Sequence, residues 1–348
     1  MKRASSASLL LSLVTGTLVL VLVTVFALSA LDAWGRESVT SRVLSSARIS
    51  RDIVLVRETV RVELGQIDTS IADPLPITRA HLEELKVSHL RTMTALRFVE
   101  DEMARSGNEK ISTRLLDQLQ EEVAKFDGHL FPVILAAAQG PQAARSHSLI
   151  YDPQSATNRI LNLIDEQAAL LSRDIASTGP YLGEMMRISD IAWHVRVDAG
   201  TERRAMANII AANRPPTQKD LLDYAEASGR ILAPWQTIEK AVQDGIVPDG
   251  LANAIIAANR EYFGHYLSMH RQILATLSAH GDPHIGDRQW LHMSNPALKS
   301  LMQVSRAALD AAEVRAKQNL VTERRDLLTA LLLMMLSIGL ATFALAIV

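Results

Sequence analysis

Cysteine is missing from this 348-residue sequence. Disulfides, thiolate nucleophiles and cysteine-based zinc sites are therefore excluded, while an extracytoplasmic location stays open. Aromatic residues make up only 4% and glycines number 16, too few for a β-sandwich with its frequent turns. Excess positive charge is missing too. The formal net charge is −2, and without a basic footprint the chain is not expected to bind nucleic acid. No glycine-rich phosphate loop, nucleophile elbow or coherent Ser/His/Asp set stands out, which points away from an enzyme and from a bound cofactor. Nor does any pair of histidines have metal spacing on one helical face: His265 and His270 are five apart, and His280 and His284 share a Gly-Pro loop.

What the chain does have is two uninterrupted apolar stretches, Leu9 to Ala30 and Leu327 to Val348. Each is about 22 residues, long enough as a helix to cross a hydrocarbon core of about 30 Å. Lys2 and Arg3 followed by Ala27-Leu28-Ser29-Ala30 also fit a cleavable export signal. A signal's apolar region is about 7–15 residues, shorter than this one, so an uncleaved anchor is expected. Lys2 and Arg3 place the N-terminus in the cytoplasm, and two crossings return the C-terminus there. Trp34 lies where an interfacial aromatic belongs, and Arg324 and Arg325 flank the second span. The expected location is a membrane, with membrane lipid as one partner and the central region on its outer side.

Between the spans, breakers are widely spaced: Asp73-Pro74-Leu75-Pro76, Ser106-Gly107-Asn108, Gly140-Pro141, Gly179-Pro180, Arg214-Pro215-Pro216, Pro248-Asp249-Gly250 and Gly281-Asp282-Pro283. The segments they bound suit bundle helices, eight in all. Asp152 before Pro153, and Asn295 before Pro296, read as N-caps with proline at the first helical position, and Thr217 with Asp220 resembles a capping box. Ile53, Val56, Val60, Leu64, Ile67 and Ile71 alternate spacings of three and four, as a buried seam requires. A second seam reads Ala192, Val195, Ala199, Arg203, Met206 and Ile210.

The two seams are 139 positions apart (192 − 53), and the offset pairs identical residues elsewhere: Arg57 with Arg196, Glu63 with Glu202, Pro76 with Pro215, Thr78 with Thr217. Farther on the register slips, and Phe126-Asp127-Gly128-His129 resembles Phe263-Gly264-His265. A duplicated unit follows. The expected fold is all-α, two tandem four-helix up-down bundles between two transmembrane helices. The boundaries read as 1–8 cytoplasmic, 9–30 transmembrane, 31–178 first bundle, 179–326 second bundle and 327–348 transmembrane, with Gly179-Pro180 as a hinge.

This layout resembles the sensor half of bacterial transmembrane receptors, in particular the helical bimodular and the nitrate- and nitrite-sensing helical domains. Gly200-Thr201-Glu202-Arg203 resembles the Glu-Arg pattern of the latter, and Val62-Glu63-Leu64 keeps only the Glu. A tandem offset departs from the nested helix order of the bimodular family, which puts transfer of its ligand pocket in doubt. The resemblance implies a periplasmic ligand-binding region, dimerisation, and a cytoplasmic output module beyond Val348 or in a partner protein, with any kinase or cyclase activity lying there.

Arg196 and Arg203 are seven apart and flank Ala199 and Gly200, small residues that leave room inside a bundle. Forked guanidinium donors in that setting suit a small anion, an organic acid or an oxyanion. Arg57 and Arg61 offer a poorer version, because Leu64 stands where Arg203 does in the second seam. The competing reading makes Arg57, Arg196, Glu63 and Glu202 interhelical ion pairs at the seam edges. Asp198 and His194 read as solvent-facing, and Trp193, Trp235 and Trp290 as core. A membrane-anchored helical adaptor for a periplasmic protein, with no small ligand, is the alternative function.

Overall fold

A computed structural model describes residues 2–72, 75–141, 148–212 and 214–347; Asp73 and Pro74 of the first breaker, and Val348, lie outside them. Among the described residues every regular element is helical. In chain order these are α1 (Lys2–Ala72), α2 (Arg79–Arg105), α3 (Thr113–Lys125), a π-helical segment π1 (Phe126–Leu130), α4 (Phe131–Ala138), α5 (Ser148–Ala176), α6 (Pro180–Ala212), α7 (Gln218–Gln243), α8 (Asp249–Ala258), π2 (Asn259–Tyr266), α9 (Leu267–Ser278), α10 (Asp287–Met293) and α11 (Asn295–Ile347). Helices α3 and α4 run on through π1, and α8 and α9 through π2. The eight expected helices are thus all present, joined by the short α10. Phe126-Asp127-Gly128-His129 falls in π1 and Phe263-Gly264-His265 in π2, so the sequence likeness marks a shared local distortion.

The helix starts follow capping chemistry in some places and override it in others. The Thr78 hydroxyl accepts from the His81 amide at the start of α2, and Thr217 with Asp220 forms a complete capping box at the start of α7. Asp152 is not an N-cap, because α5 already runs from Ser148 and contains Pro153. Pro153 is the sixth residue of α5 and lies inside the helix, where its missing amide forfeits one intrahelical hydrogen bond. Asn295 opens α11, but its Oδ1 accepts from Nη1 of Arg203 at 2.7 Å, so it serves tertiary packing.

Contacts divide the chain into two units, one of residues 46–313 and one of residues 1–45 with 314–348. In the smaller unit α1 and α11 exchange reciprocal ion pairs: Nε of Arg36 donates to Glu323 at 2.9 Å, and Nε of Arg324 to Glu37 at 3.0 Å. Beyond them the apolar side chains stay exposed, among them Leu18, Val25, Leu28, Leu332, Leu336 and Leu340. The two helices are long and apolar enough to cross a membrane, and an exposed apolar sleeve is what lipid covers.

In the larger unit all six residues of the first seam are buried, with Ile53, Val56 and Ile67 at 0% exposure. Each such side chain contributes about 1.5–3 kcal/mol. Helices α1 and α6 each pack against α5 and α11 as well as against one another. Ser46 with Asp174, and Arg57 with Asp165, make α1 and α5 antiparallel. Arg57 against Trp193, and Asp68 against Arg204, make α1 and α6 parallel. Ser189 bonds Ser305, Arg306 pairs with Glu58, and Arg51 pairs with Glu313, which binds α11 to both. The α2–α3 breaker is tied in: Asn108, after Gly107 at φ 60, donates to Ser46 at 2.7 Å. The 178/179 boundary falls in the larger unit, at the Ser177–Gly179 turn between α5 and α6.

One buried carboxyl on α2 makes stability depend on pH. Glu100 is 8% exposed, its Oε1 has no hydrogen-bond partner, and burial pushes its pKa up to about 7. The folded state therefore holds a proton between about pH 4.5 and 7 that the unfolded chain releases, and stability declines as pH rises through that window. Glu100→Gln is expected to raise stability by about 2 kcal/mol above pH 7. The gain should fade toward pH 4.5 in urea denaturation curves.

Candidate functional site

The structure divides the four candidate arginines by what neutralises them. Arg57 is 5% exposed and already satisfied: its Nε donates to Asp165 at 2.7 Å and its guanidinium lies 4.8 Å over the Trp193 ring. That is an ion pair capped by a cation–π contact. Arg203 turns toward α10 and α11, its Nη1 on Asn295, while Nε is buried with no partner.

Arg61 and Arg196 differ from both. Neither side chain has an ion pair or hydrogen bond among the described residues, and Nε of Arg61 is buried without a partner. They occupy the facing sides of the parallel helices α1 and α6 and repel one another. Burial, followed by the Arg203 and Arg61 charges, pushes Arg196 down to about 9. Burial and Arg204 lower Arg61 as well. The nearby carboxylates are engaged elsewhere: Asp165 on Arg57, Glu58 on Arg306, and Asp68 at 3.9 Å from Arg204. Two cations are left over. A half-buried charge without a partner is unfavourable, and an anion spanning two forked guanidinium groups offsets that cost.

Room for the Arg196 fork comes from Gly200. A Cβ there would sit 3.0 Å from Nη1 of Arg196, so the side chain lies along the bare backbone one turn ahead. Only glycine leaves that path open without a shift.

Two further polar centres surround the buried glutamates. Glu63, 2% exposed, meets Nδ1 of His89 at 2.7 Å, and Nε2 of His89 meets Asp127 of π1 at 3.0 Å. With a carboxylate at each nitrogen, the imidazole is held as an imidazolium. Burial acts to lower its pKa, but the two carboxylates outweigh burial and raise it. Phe131 stacks on the same ring at 3.5 Å between centroids. Glu202, 0% exposed, accepts from Tyr262 of π2 at 2.5 Å and from Ser228 at 3.0 Å. His89 and Ser228 are 139 positions apart (228 − 89), the offset that relates Glu63 to Glu202. Of the four seam-edge residues, Arg57 pairs across helices with Asp165 and Glu63 with His89, while Glu202 is met by hydroxyl donors and Arg196 has no ion pair among the described residues. Asp198 is half-buried and lies 3.6 Å from Arg230, so it is not free in solvent. His194 is exposed, and the three tryptophans are core, each at 2% exposure or less.

Comparison with protein-family models, with curated proteins and with solved structures yields no match. The class is therefore defined by what the chain itself presents: an all-α protein with two helices long and apolar enough to span a membrane.

Proposed function

We propose that the chain is the sensory region of a bacterial inner-membrane signal receptor, with residues 31–178 and 179–326 forming two tandem four-helix bundles in the periplasm. The observation that carries the reading is the pair of uncompensated arginines, Arg61 and Arg196, on α1 and α6. A small organic acid or oxyanion held between them draws the two helices together. Since α1 runs without a break from Lys2 to Ala72, displacement at Arg61 is carried toward the first apolar stretch. A shift of about 1–2 Å along a rigid helix is enough to bias a bistable partner. Two chains forming a homodimer would set four spans side by side, and a cytoplasmic signalling module or protein would read their relative motion. The matched caps at Thr78 and Thr217, the paired π segments and the paired buried glutamates support the tandem arrangement.

The test is thermal denaturation of the full chain in lipid nanodiscs against nitrate, sulfate, acetate and succinate. An anion at 100 times its dissociation constant should add about 2.7 kcal/mol. Arg61→Ala and Arg196→Ala should each abolish the response, and Gly200→Ala should weaken it by crowding the Arg196 fork. If none of the four anions moves the transition, the adaptor reading takes over. For that reading the exposed stripe Val87, Leu90 and Phe98 on α2 is the natural contact face.

A further inference from the structure

A second group of unpaired polar atoms lies where α6, α7, π2, α9 and α10 meet. His270 is 0% exposed and neither ring nitrogen has a hydrogen-bond partner; Oη of Tyr266, at 1% exposure, has none either. Nε of Arg203 is the third such group. The three belong to one cluster. The Tyr266 ring lies 5.9 Å from His270 and 5.2 Å from Trp290, His270 lies 5.6 Å from Trp290, and Nε1 of Trp290 donates to the Arg203 carbonyl at 3.0 Å. A buried polar group left unsatisfied is destabilising, so several together call for an occupant.

The first half of the chain shows that the fold does not need these polar groups. At an offset of 136 positions, Leu115 matches Leu251, Leu119 matches Ile255 and Phe126 matches Tyr262, all buried. The same offset puts Leu130 opposite Tyr266 and Ile134 opposite His270, and the seam offset of 139 puts Leu64 opposite Arg203. Three apolar side chains in one half are thus replaced by an arginine, a phenol and an imidazole in the other.

Their chemistry narrows the occupant. A neutral imidazole presents one donor and one acceptor, and burial keeps this one neutral by lowering its pKa to about 4. An acceptor nitrogen needs a donor from the ligand, which a bare carboxylate lacks. The Glu202 carboxylate, reached through Tyr262 stacked on Tyr266 at 4.9 Å, repels an anion, and Arg203 repels a cation. Ring centroids only 5–6 Å apart leave no gap for an aromatic ring to intercalate. We propose that Tyr266, His270 and Arg203 bind a small neutral molecule carrying adjacent donor and acceptor groups, of the primary amide class.

Calorimetric and thermal-shift titration of the full chain in nanodiscs with acetamide tests this, with acetate and ethylammonium as charged controls of similar size. Acetamide is expected to bind and raise the melting temperature, and the controls are not. His270→Ile and Tyr266→Leu install the residues the first half uses, so both variants should fold, and each should weaken acetamide binding by about tenfold or more. Arg61→Ala, which removes the anion partner on the other helix, should leave acetamide binding intact, which separates this site from the anion site. The proposal is overturned if acetamide fails to bind at millimolar concentration, if binding survives His270→Ile, or if a high-resolution structure with acetamide present shows only ordered water against Tyr266 and His270.

Discussion

Arg196→Met is expected to make the chain more stable in oxyanion-free buffer, by about 1–3 kcal/mol, while erasing its response to anions. The two effects have one cause. Arg196 is half-buried beside Arg61 and Arg203, with no carboxylate paired to it among the described residues. Without ligand its charge is a liability that an unbranched apolar side chain of similar length avoids. With ligand the same charge holds the anion. The pH dependence has a definite sign. A cationic group with a lowered pKa binds its proton more weakly in the folded state, so wild-type stability rises as pH climbs above about 9. The gap between variant and wild type should therefore begin to close above pH 9, as urea denaturation at pH 7, 9 and 10 will report. A structural arginine predicts the reverse: loss of a paired buried charge costs about 3–5 kcal/mol.

The seams were legible because burial imposes a period: all six residues of the first are buried, and of the second only Arg203 is not. Thr217 with Asp220 was legible because a capping box is a local pair of hydrogen bonds, made three residues apart, and the offset of 139 then marks Thr78 as the matching position. The local code failed at Asp152 and Asn295. A helix already in progress absorbed Pro153, and Arg203 claimed the Asn295 side chain from across the interface. The arginines show the same division. Sequence spacing put Arg196 and Arg203 on the inner side of α6, but it could not say which arginine is neutralised. Asp165 lies 108 positions from Arg57 and Asn295 lies 92 from Arg203, so no spacing rule connects either pair. His89 escaped notice for the same reason, since its two carboxylates sit 26 and 38 positions away on different elements. The offset of 139 would have found it, by asking what stands opposite Ser228.

Glu63→Ala is expected to cost about 3 kcal/mol at pH 5.5, because it strips one of two carboxylates from a buried imidazolium. His89 is 7% exposed and lies between Glu63 at 2.7 Å and Asp127 at 3.0 Å, so the loss leaves its Nδ1 facing a small apolar gap. Its raised pKa fixes the window. The stabilisation is fully present below the unfolded value of 6.5 and is lost as pH climbs through the higher folded value, so the penalty must shrink on the alkaline side. Glu202→Ala is the control from the other half. It orphans the Tyr262 hydroxyl, at 0% exposure, for about 2–4 kcal/mol. Burial pushes that phenol well above its ordinary range, so it cannot discharge as pH rises past 6.5. Burial raises Glu202 as well, so its variant also sheds a titrating carboxyl, and the comparison rests on the Glu63→Ala deficit, which should shrink between pH 5.5 and 8.5 while the Tyr262 hydroxyl stays without its partner. Adding His89→Leu to Glu63→Ala removes the stranded cation and should restore part of the stability at pH 5.5. A deficit equal at both pH values would mean that His89 is neutral when folded, and that the two carboxylates do not hold its proton.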